Sequence, residues 1–379
     1  ARAETGEPYI VNIDNCNDAL PQGQKDLGLE VKQSNLCSEI TLPTNDERTA
    51  VCCLSSVNLE HFDEWSKDDK FIDDLVTMLD NVLEHFIENA VDLNSLGGYN
   101  ANYERFKKHI KEGKEGFTKA AYSAYRERSI GLGAMGFHSY LQNQNIPFEG
   151  IFSTGINYKL FKFIKGAAVS ASRRLAVLRG EAPDISNSGL RNCHLLAVAP
   201  NASSSIICGG TSPSIEPIRA NVFTHKTLSG SYKVRNKNLE KLINKKVTDP
   251  KKRKKVWQDI SDNRGSIQEL KLFTKEEKEV FKTADEINQI WVVEHAYKRQ
   301  EFICQSQSVN LFFILPDSSQ NQEQHNEYLQ YVSDVHWYGA NKLKSLYYFR
   351  SDAAKAAENV NIKVPRIKLD EVECIACEG

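Results

Sequence analysis

Net charge is nearly absent from this sequence: 48 Lys and Arg against 50 Asp and Glu leave −2 at neutral pH over 379 residues. So balanced a chain presents no strong field of one sign, which argues against nucleic acid as a partner and leaves nucleotides and proteins open. The sequence also lacks an apolar run of membrane length, a signal peptide, an internal repeat and a low-complexity tract, so no membrane association is expected. Without a secretory leader, the nine cysteines (16, 37, 52, 53, 193, 208, 304, 374 and 377) point to a reducing cytoplasm where thiols stay available for chemistry. Their odd number disfavours a fully paired disulfide framework. The chain opens on Ala1, which fits either loss of an initiator methionine or a fragment of something longer. What is present, 40% apolar and 26% charged residues, is the balance of a folded enzyme, long enough for two average domains or one large α/β domain.

Apolar residues at Phe71, Leu75, Met78, Leu79, Val82, Leu83, Phe86 and Ile87 recur at helical spacing and predict a helix over 71–90. Further helices are expected near 118–142, 155–178, 275–300 and 322–340, divided by Gly-rich, Pro-rich or charged stretches at 94–100, 180–190, 209–217 and 245–256. Short apolar runs at 195–200, 308–315 and 344–349 read as buried strands, each reached after a helical segment, so strands alternate with helices. The basic run Lys245 to Lys255 contains Pro250 and no aromatic, and reads as a solvated loop. Beyond Phe349 the chain turns alanine-rich and then charged, the composition of a mobile tail.

Four motifs could carry chemistry. Gly131, Gly133 and Gly136 in GLGAMG match a dinucleotide-binding pattern, but AAYSAYRERSI before them reads as helix rather than strand and no acidic residue closes a second strand, so close helix packing is the better account. In Asn35-Leu36-Cys37-Ser38-Glu39 an extended backbone would set Asn35, Cys37 and Glu39 on one side, where a carboxylate could take a proton while sulfur does radical, nucleophilic or redox work; the plain alternative is a buried cysteine near a surface glutamate. Cys374-Ile375-Ala376-Cys377 is half of a zinc site or, better suited to a tail, a dithiol that exchanges with another disulfide; no metal is expected. Tyr347-Tyr348 in a buried strand is core packing unless a nearby cysteine needs one-electron oxidation.

Taken in order, RAETGEPYIVNID, SNLCSEITLPT, AVCCLSSVNL, RERSIGLGAMGFHSYLQ, LLAVAPNASSSIICGGTSPSIEP, LKSLYY and the terminal cysteine pair resemble the catalytic (large, alpha) subunits of class I ribonucleotide reductases, with phage and enterobacterial forms as the expected kin. The resemblance implies the carboxy-terminal part of a ten-stranded α/β barrel over 1–350 and a mobile redox tail over 351–379. It implies that Cys37 becomes a thiyl radical that takes the 3′ hydrogen of a ribonucleoside diphosphate, that Glu39 deprotonates the 3′ hydroxyl, and that Asn35 holds the substrate. Cys52 would be one of the two thiols that reduce the 2′ position, while Cys53 is an extra neighbour. Tyr347 and Tyr348 would relay the radical, and Cys374 and Cys377 would re-reduce the site. Substrate binding would fall to Ser34 through Glu39, including Leu36 and Ser38, and to a phosphate loop of Pro200, Asn201, Ala202, Ser203 and Ser204, where Ala202 replaces an acidic residue seen in some relatives.

By the same resemblance no cofactor is held in this chain: the radical comes from a diiron-tyrosyl small subunit, and electrons come from thioredoxin or glutaredoxin. The family's amino-terminal half, with the redox partner of Cys52 and the specificity site, is not matched, so a separate amino-terminal-half polypeptide is expected, a truncated chain being the other explanation. The product is a deoxyribonucleoside diphosphate for DNA synthesis. An inactive remnant that only binds reductase subunits is the alternative, and a cobalamin-dependent relative is disfavoured because it would have no use for a tyrosine relay.

Overall fold

The computed structural model describes residues 2–98, 101–227, 230–314 and 322–351. Its centre is a strip of mostly parallel backbone. Strand β1 (Ile10–Val11) precedes β2 (Cys53–Asn58), which pairs in parallel along its whole length with β3 (Ile130–Met135), Cys53 opposite Ile130 and Asn58 opposite Met135. The 194–198 segment continues the strip: Ile130 and Leu132 donate to the carbonyls of His194 and Leu195, and Leu196 and Val198 form parallel bridges to Leu132 and Gln307. The hairpin β4 (Val222–Thr227) and β5 (Gly230–Arg235) stands apart from the strip. Beyond it, β6 (Leu311–Phe313) pairs in parallel with β8 (Phe349–Ser351), and β7 (Ser345–Leu346) runs antiparallel to β1.

Helices cover the strip because their apolar stripes have no other place to go. The Phe71–Ala90 helix forms as its sequence period requires, and packs on Ile151–Arg179, on Thr118–Glu127 and on β2 and β3. Its buried stripe is Ile72, Val76, Leu79, Leu83 and Ile87, whereas Met78 and Val82 are 46% and 48% exposed, so the buried face is turned from the one predicted. Asp80 lies inside that stripe and is fully buried; it is neutralised by Arg179 at 2.7 Å and Arg191 at 3.2 Å, as a buried carboxylate must be.

Several boundaries differ from the sequence expectation. The helix expected over 118–142 is a helix, a strand and a second helix: Thr118–Glu127 stops at Arg128 in the left-handed region, β3 follows, and Phe137–Asn143 resumes. The glycine triplet therefore belongs to β3 and its end, and close packing of strands, not of helices, explains it: a Cβ on Gly133 would lie 2.5 Å from the carbonyl oxygen of Ala197. The span 275–300 is likewise divided, into Lys275–Val280 and Gln289–Gln300. The basic run is not a loop throughout, since Pro250 opens a helix to Asp262: proline is suited to a first helical position, and Asp249 caps it by accepting from the Lys251 N–H. That helix joins Val222, Leu239, Ile243, Phe273 and Phe281 in a small core separate from the main one. Of the three expected strand runs, 195–200 contributes isolated bridges, 308–315 contributes β6, and 344–349 contributes β7 and the start of β8. No described helix is long and apolar enough to cross a membrane.

Candidate active site

The segment Asn35 to Glu39 is a turn and not a strand: the Ser38 N–H donates to the Asn35 carbonyl at 3.1 Å and Ser38 has φ 63°. Alternation therefore does not explain how its groups meet, and the extended reading is corrected. The tight turn nonetheless gathers them. The Asn35 side chain accepts from the Ile40 N–H at 3.1 Å, Ser38 and Glu39 are buried, and Leu36, 68% exposed, points away from the core. The Ser308 hydroxyl lies 2.6 Å from the Cys37 carbonyl and 3.2 Å from Glu39 Oε2, and the Ser306 N–H donates to the Glu39 carbonyl at 2.8 Å. Glu39 is thus a buried carboxyl above the usual range: burial raises it, while hydrogen bonds from Asn35 and Ser308 pull the other way without cancelling the rise. A carboxylate desolvated and held in this way is the stronger base.

Cys52 stands just ahead of β2, and the Gln305 amide donates to its sulfur at 3.3 Å. Burial first, then the negative fields of Cys53 and Glu39, keep it a thiol. Cys53 is half-buried and begins β2. Among the described residues no cysteine, 37 and 52 included, is in a disulfide.

Tyr347 brings its hydroxyl to 3.5 Å from the Cys37 sulfur. Its ring centroid is 4.4 Å from that of Tyr348, and a third ring, Tyr9, lies 4.7 Å from Tyr347 and 4.9 Å from Tyr348. Backbone bonds fix the pair, from the Tyr347 N–H to the Val309 carbonyl and from the Leu311 N–H to the Tyr348 carbonyl, while the Arg350 guanidinium stacks 3.8 Å over Tyr348. Burial raises the Tyr347 phenol, so it is neutral and carries its proton.

The loop 200–204 turns at Asn201, φ 52°, into the short helix Ala202–Ile207. The Asn201 amide donates inward, to Ser56 Oγ and the Ala199 carbonyl, each at 3.0 Å, so it braces the turn against β2. Pro200 and Ala202 share a cavity of about 290 Å³ with Glu216, Arg219, Asn310, both tyrosines and Arg350. Ala202 and Ser203 also edge a larger cavity, about 670 Å³, containing Arg219 and Arg264. Ala202, Ser203 and Ser204 are exposed, and Ser34 only bonds back to the next carbonyl. Cys374 and Cys377 lie outside the described residues.

Several residues at the site went unassigned from sequence. Tyr9 sits inside a quoted motif, but nothing local marks it as facing a tyrosine pair more than 300 positions away. Ser308, Gln305 and Glu216 could have been found only through their partners. Glu216, pushed up to about 7 by burial, accepts from the Asn310 amide, whose oxygen in turn accepts from the Tyr348 N–H.

Thiol, buried carboxyl and tyrosine pair on a strip of parallel strands define an α/β domain equipped for sulfur and tyrosine redox chemistry. The sequence model of the family described as "Ribonucleotide reductase, barrel domain" matches residues 1–188 and 181–349. The ribonucleoside-diphosphate reductase large subunit of Invertebrate iridescent virus 3 is 44% identical over 382 residues, 100% of this chain and 55% of that protein. A putative large subunit of Frog virus 3 is 40% identical over 381 residues, 100% of this chain and 61% of that protein. The structure of the Actinobacillus ureae class Id ribonucleotide reductase alpha subunit matches with a TM-score of 0.76 at 35% identity, over 94% of this chain and 60% of that one. The chain belongs to the ribonucleotide reductase large-subunit family, whose barrel domain it carries, and it spans little more than half the length of these relatives.

Proposed function

We propose that this chain carries the radical chemistry of a ribonucleoside-diphosphate reductase, converting ribonucleoside diphosphates to deoxyribonucleoside diphosphates. The observation that carries the reading is the unbroken path from Tyr348 through Tyr347 to the Cys37 sulfur, 4.4 Å between rings and 3.5 Å from oxygen to sulfur. A tyrosyl radical at Tyr347 takes the hydrogen atom of the Cys37 thiol, so that the phenol is restored and a thiyl radical remains. The thiyl takes the 3′ hydrogen of the substrate; Glu39, oriented by Ser308, accepts the 3′ hydroxyl proton, and Asn35 binds the sugar. Cys52 supplies one of the two reducing thiols, and Cys374 with Cys377 restores it. Pro200 to Ser204 receive the phosphates at first-turn N–H groups of a helix.

The radical is supplied by a diiron-tyrosyl small subunit and the electrons by thioredoxin or glutaredoxin, as implied for the family. The second reducing thiol and the specificity site belong to the part of the relatives that this chain does not span, provided on the same or on a separate polypeptide. A phage or enterobacterial lineage is the finer placement proposed.

The test is reduction of a ribonucleoside diphosphate by the chain with its small subunit and the missing amino-terminal portion. Turnover that Cys37→Ser abolishes is expected. Turnover that survives Cys37→Ser, or none with every component present and correctly assembled, overturns the reading, the latter in favour of a subunit-binding scaffold.

A further inference from the structure

On another part of the strip from the cysteine turn, Cys304 has surroundings that buried structural cysteines lack. Its sulfur accepts two consecutive backbone N–H groups, Leu195 at 3.0 Å and Leu196 at 3.2 Å, and the Lys165 ammonium stands 3.7 Å away. His194, 1% exposed, lies against the same sulfur. Its Nε2 lies 3.0 Å from Gln24 Oε1. Its Nδ1 is buried with no hydrogen-bond partner, and burial lowers the pKa of the ring. The Leu196 carbonyl lies 3.7 Å from the sulfur.

Cys304 is also partly exposed. It lines a cavity of about 750 Å³ whose walls include Lys165, Lys298, Lys342 and Lys344 against only Asp18 and Glu301, an excess of two positive charges. Lys344 is held by the Cys304 and Gln305 carbonyls, and Lys342 lies 4.0 Å over the Tyr297 ring, so the cationic wall is built by contacts and not by loose side chains.

We propose that Cys304 is a thiol–disulfide exchange site that takes a small anionic disulfide from this lysine-lined cavity. The Cys304 thiolate attacks one sulfur of the disulfide, the S–S bond breaks, and the other half leaves as a thiolate that takes a proton from solvent. Cys304 ends in a mixed disulfide, and the departing half is the reduced product. Burial opposes the thiolate, but Lys165, His194 and the backbone donors outweigh it and hold the sulfur well below the ordinary thiol range. The other groups facing it are Lys344, which favours the anion, and the Cys52 thiol.

The experiment exposes the full reduced chain to glutathione disulfide, quenches with maleimide and follows each cysteine by peptide mass spectrometry. Cys304 is expected to form the mixed disulfide about fivefold or more faster than exposed Cys208 near pH 6.5, a gain limited by the lower nucleophilicity of a stabilised thiolate. Its rate should stay nearly flat to pH 8, and the dicationic disulfide cystamine should react more slowly with it than glutathione disulfide does. Lys165→Met should cut the Cys304 rate and restore an ordinary pH profile. A Cys304 rate no higher than that of Cys208, or a steep pH dependence in the unaltered protein, overturns the proposal whether or not the Lys165 variant folds. None of these readouts depends on nucleotide reduction.

Discussion

Tyr347 illustrates how little a single atom contributes to stability where it could contribute much to chemistry. Its hydroxyl donates to the Cys37 sulfur at 3.5 Å, so Tyr347→Phe should change unfolding free energy by less than about 1 kcal/mol, the net worth of a weak hydrogen bond. The same change removes the phenolic hydrogen that the proposed relay exchanges, and on that proposal nucleotide reduction should fall by about 100-fold or more, equivalent to about 3 kcal/mol of barrier. Steady-state assay beside thermal melting checks both halves; retained turnover would remove Tyr347 from the path. Glu216 makes the opposite case. Its carboxyl sits at about 7 in the folded chain against an ordinary 4.5, chiefly because it is buried, with Asn310, Arg350 and Arg219 pulling the other way. Between those values the folded state binds the proton more tightly than the unfolded one, so stability falls as pH rises through the window. Glu216→Gln, which still offers Asn310 an acceptor, should match the parent near pH 4 and exceed it by up to about 3 kcal/mol near pH 8 in urea unfolding. A difference that does not vary with pH would show that the buried charge is not the cause.

At the scale of elements, β3 holds the lesson about close approach. Gly133 faces the Ala197 carbonyl so tightly that any Cβ must displace backbone, and Gly133→Ala should cost about 1–3 kcal/mol, while Gly116→Ala, with nothing within 4 Å of its added carbon, should stay within about 0.5 kcal/mol. Equal effects in chemical denaturation would refute this packing account. The same strand marks the limit of what is legible in the sequence. Local periodicity located the helices Phe71–Ala90 and Gln322–Ala340 because an amphipathic stripe is a local property. It could not locate β3, since a strand buried on both faces among helices has no polar face to alternate with, and its glycines are explained only by a neighbour more than 60 residues later. Pro250 misled for a different reason: a proline that begins a helix and one that prevents it look alike until the cap at Asp249 is seen. At the cysteine turn the residues were legible and their geometry was not, because Asn35, Cys37 and Glu39 are assembled by Ser308 and Tyr347 from the other end of the chain.

Among the described residues of the whole molecule, two sizeable hydrophobic cores coexist beside two clusters of three buried residues each. The main one runs from Val57 to Phe349 and supports the strip that carries Cys37, Cys52 and the tyrosines, whereas Val222, Leu239, Ile243, Trp257, Ile260, Ile267, Phe273, Val280 and Phe281 form a second. The smaller core is joined to the larger by polar contacts: Asn236 donates to Gln142 at 3.0 Å, and the Asn238 amide donates to the Ser139 carbonyl at 3.2 Å. Polar links of this kind carry less cooperativity than shared apolar packing, so the second unit should open on its own before the chain unfolds globally. Trp257→Ala removes its largest buried side chain and should destabilise that unit by about 3–5 kcal/mol. Hydrogen exchange should then show amides of Lys237–Lys246 and Pro250–Asp262 losing protection while those of Ile130–Met135 keep theirs. Loss of protection spread evenly over both regions would mean that the polar links transmit the disturbance and that the chain unfolds as one body. Selective loss would mean that the strip beside the cysteine turn and the tyrosines is insulated from the second unit beside the 200–204 loop, so that motion there can reshape the cavity of Ser203, Arg219 and Arg264 without moving Cys37.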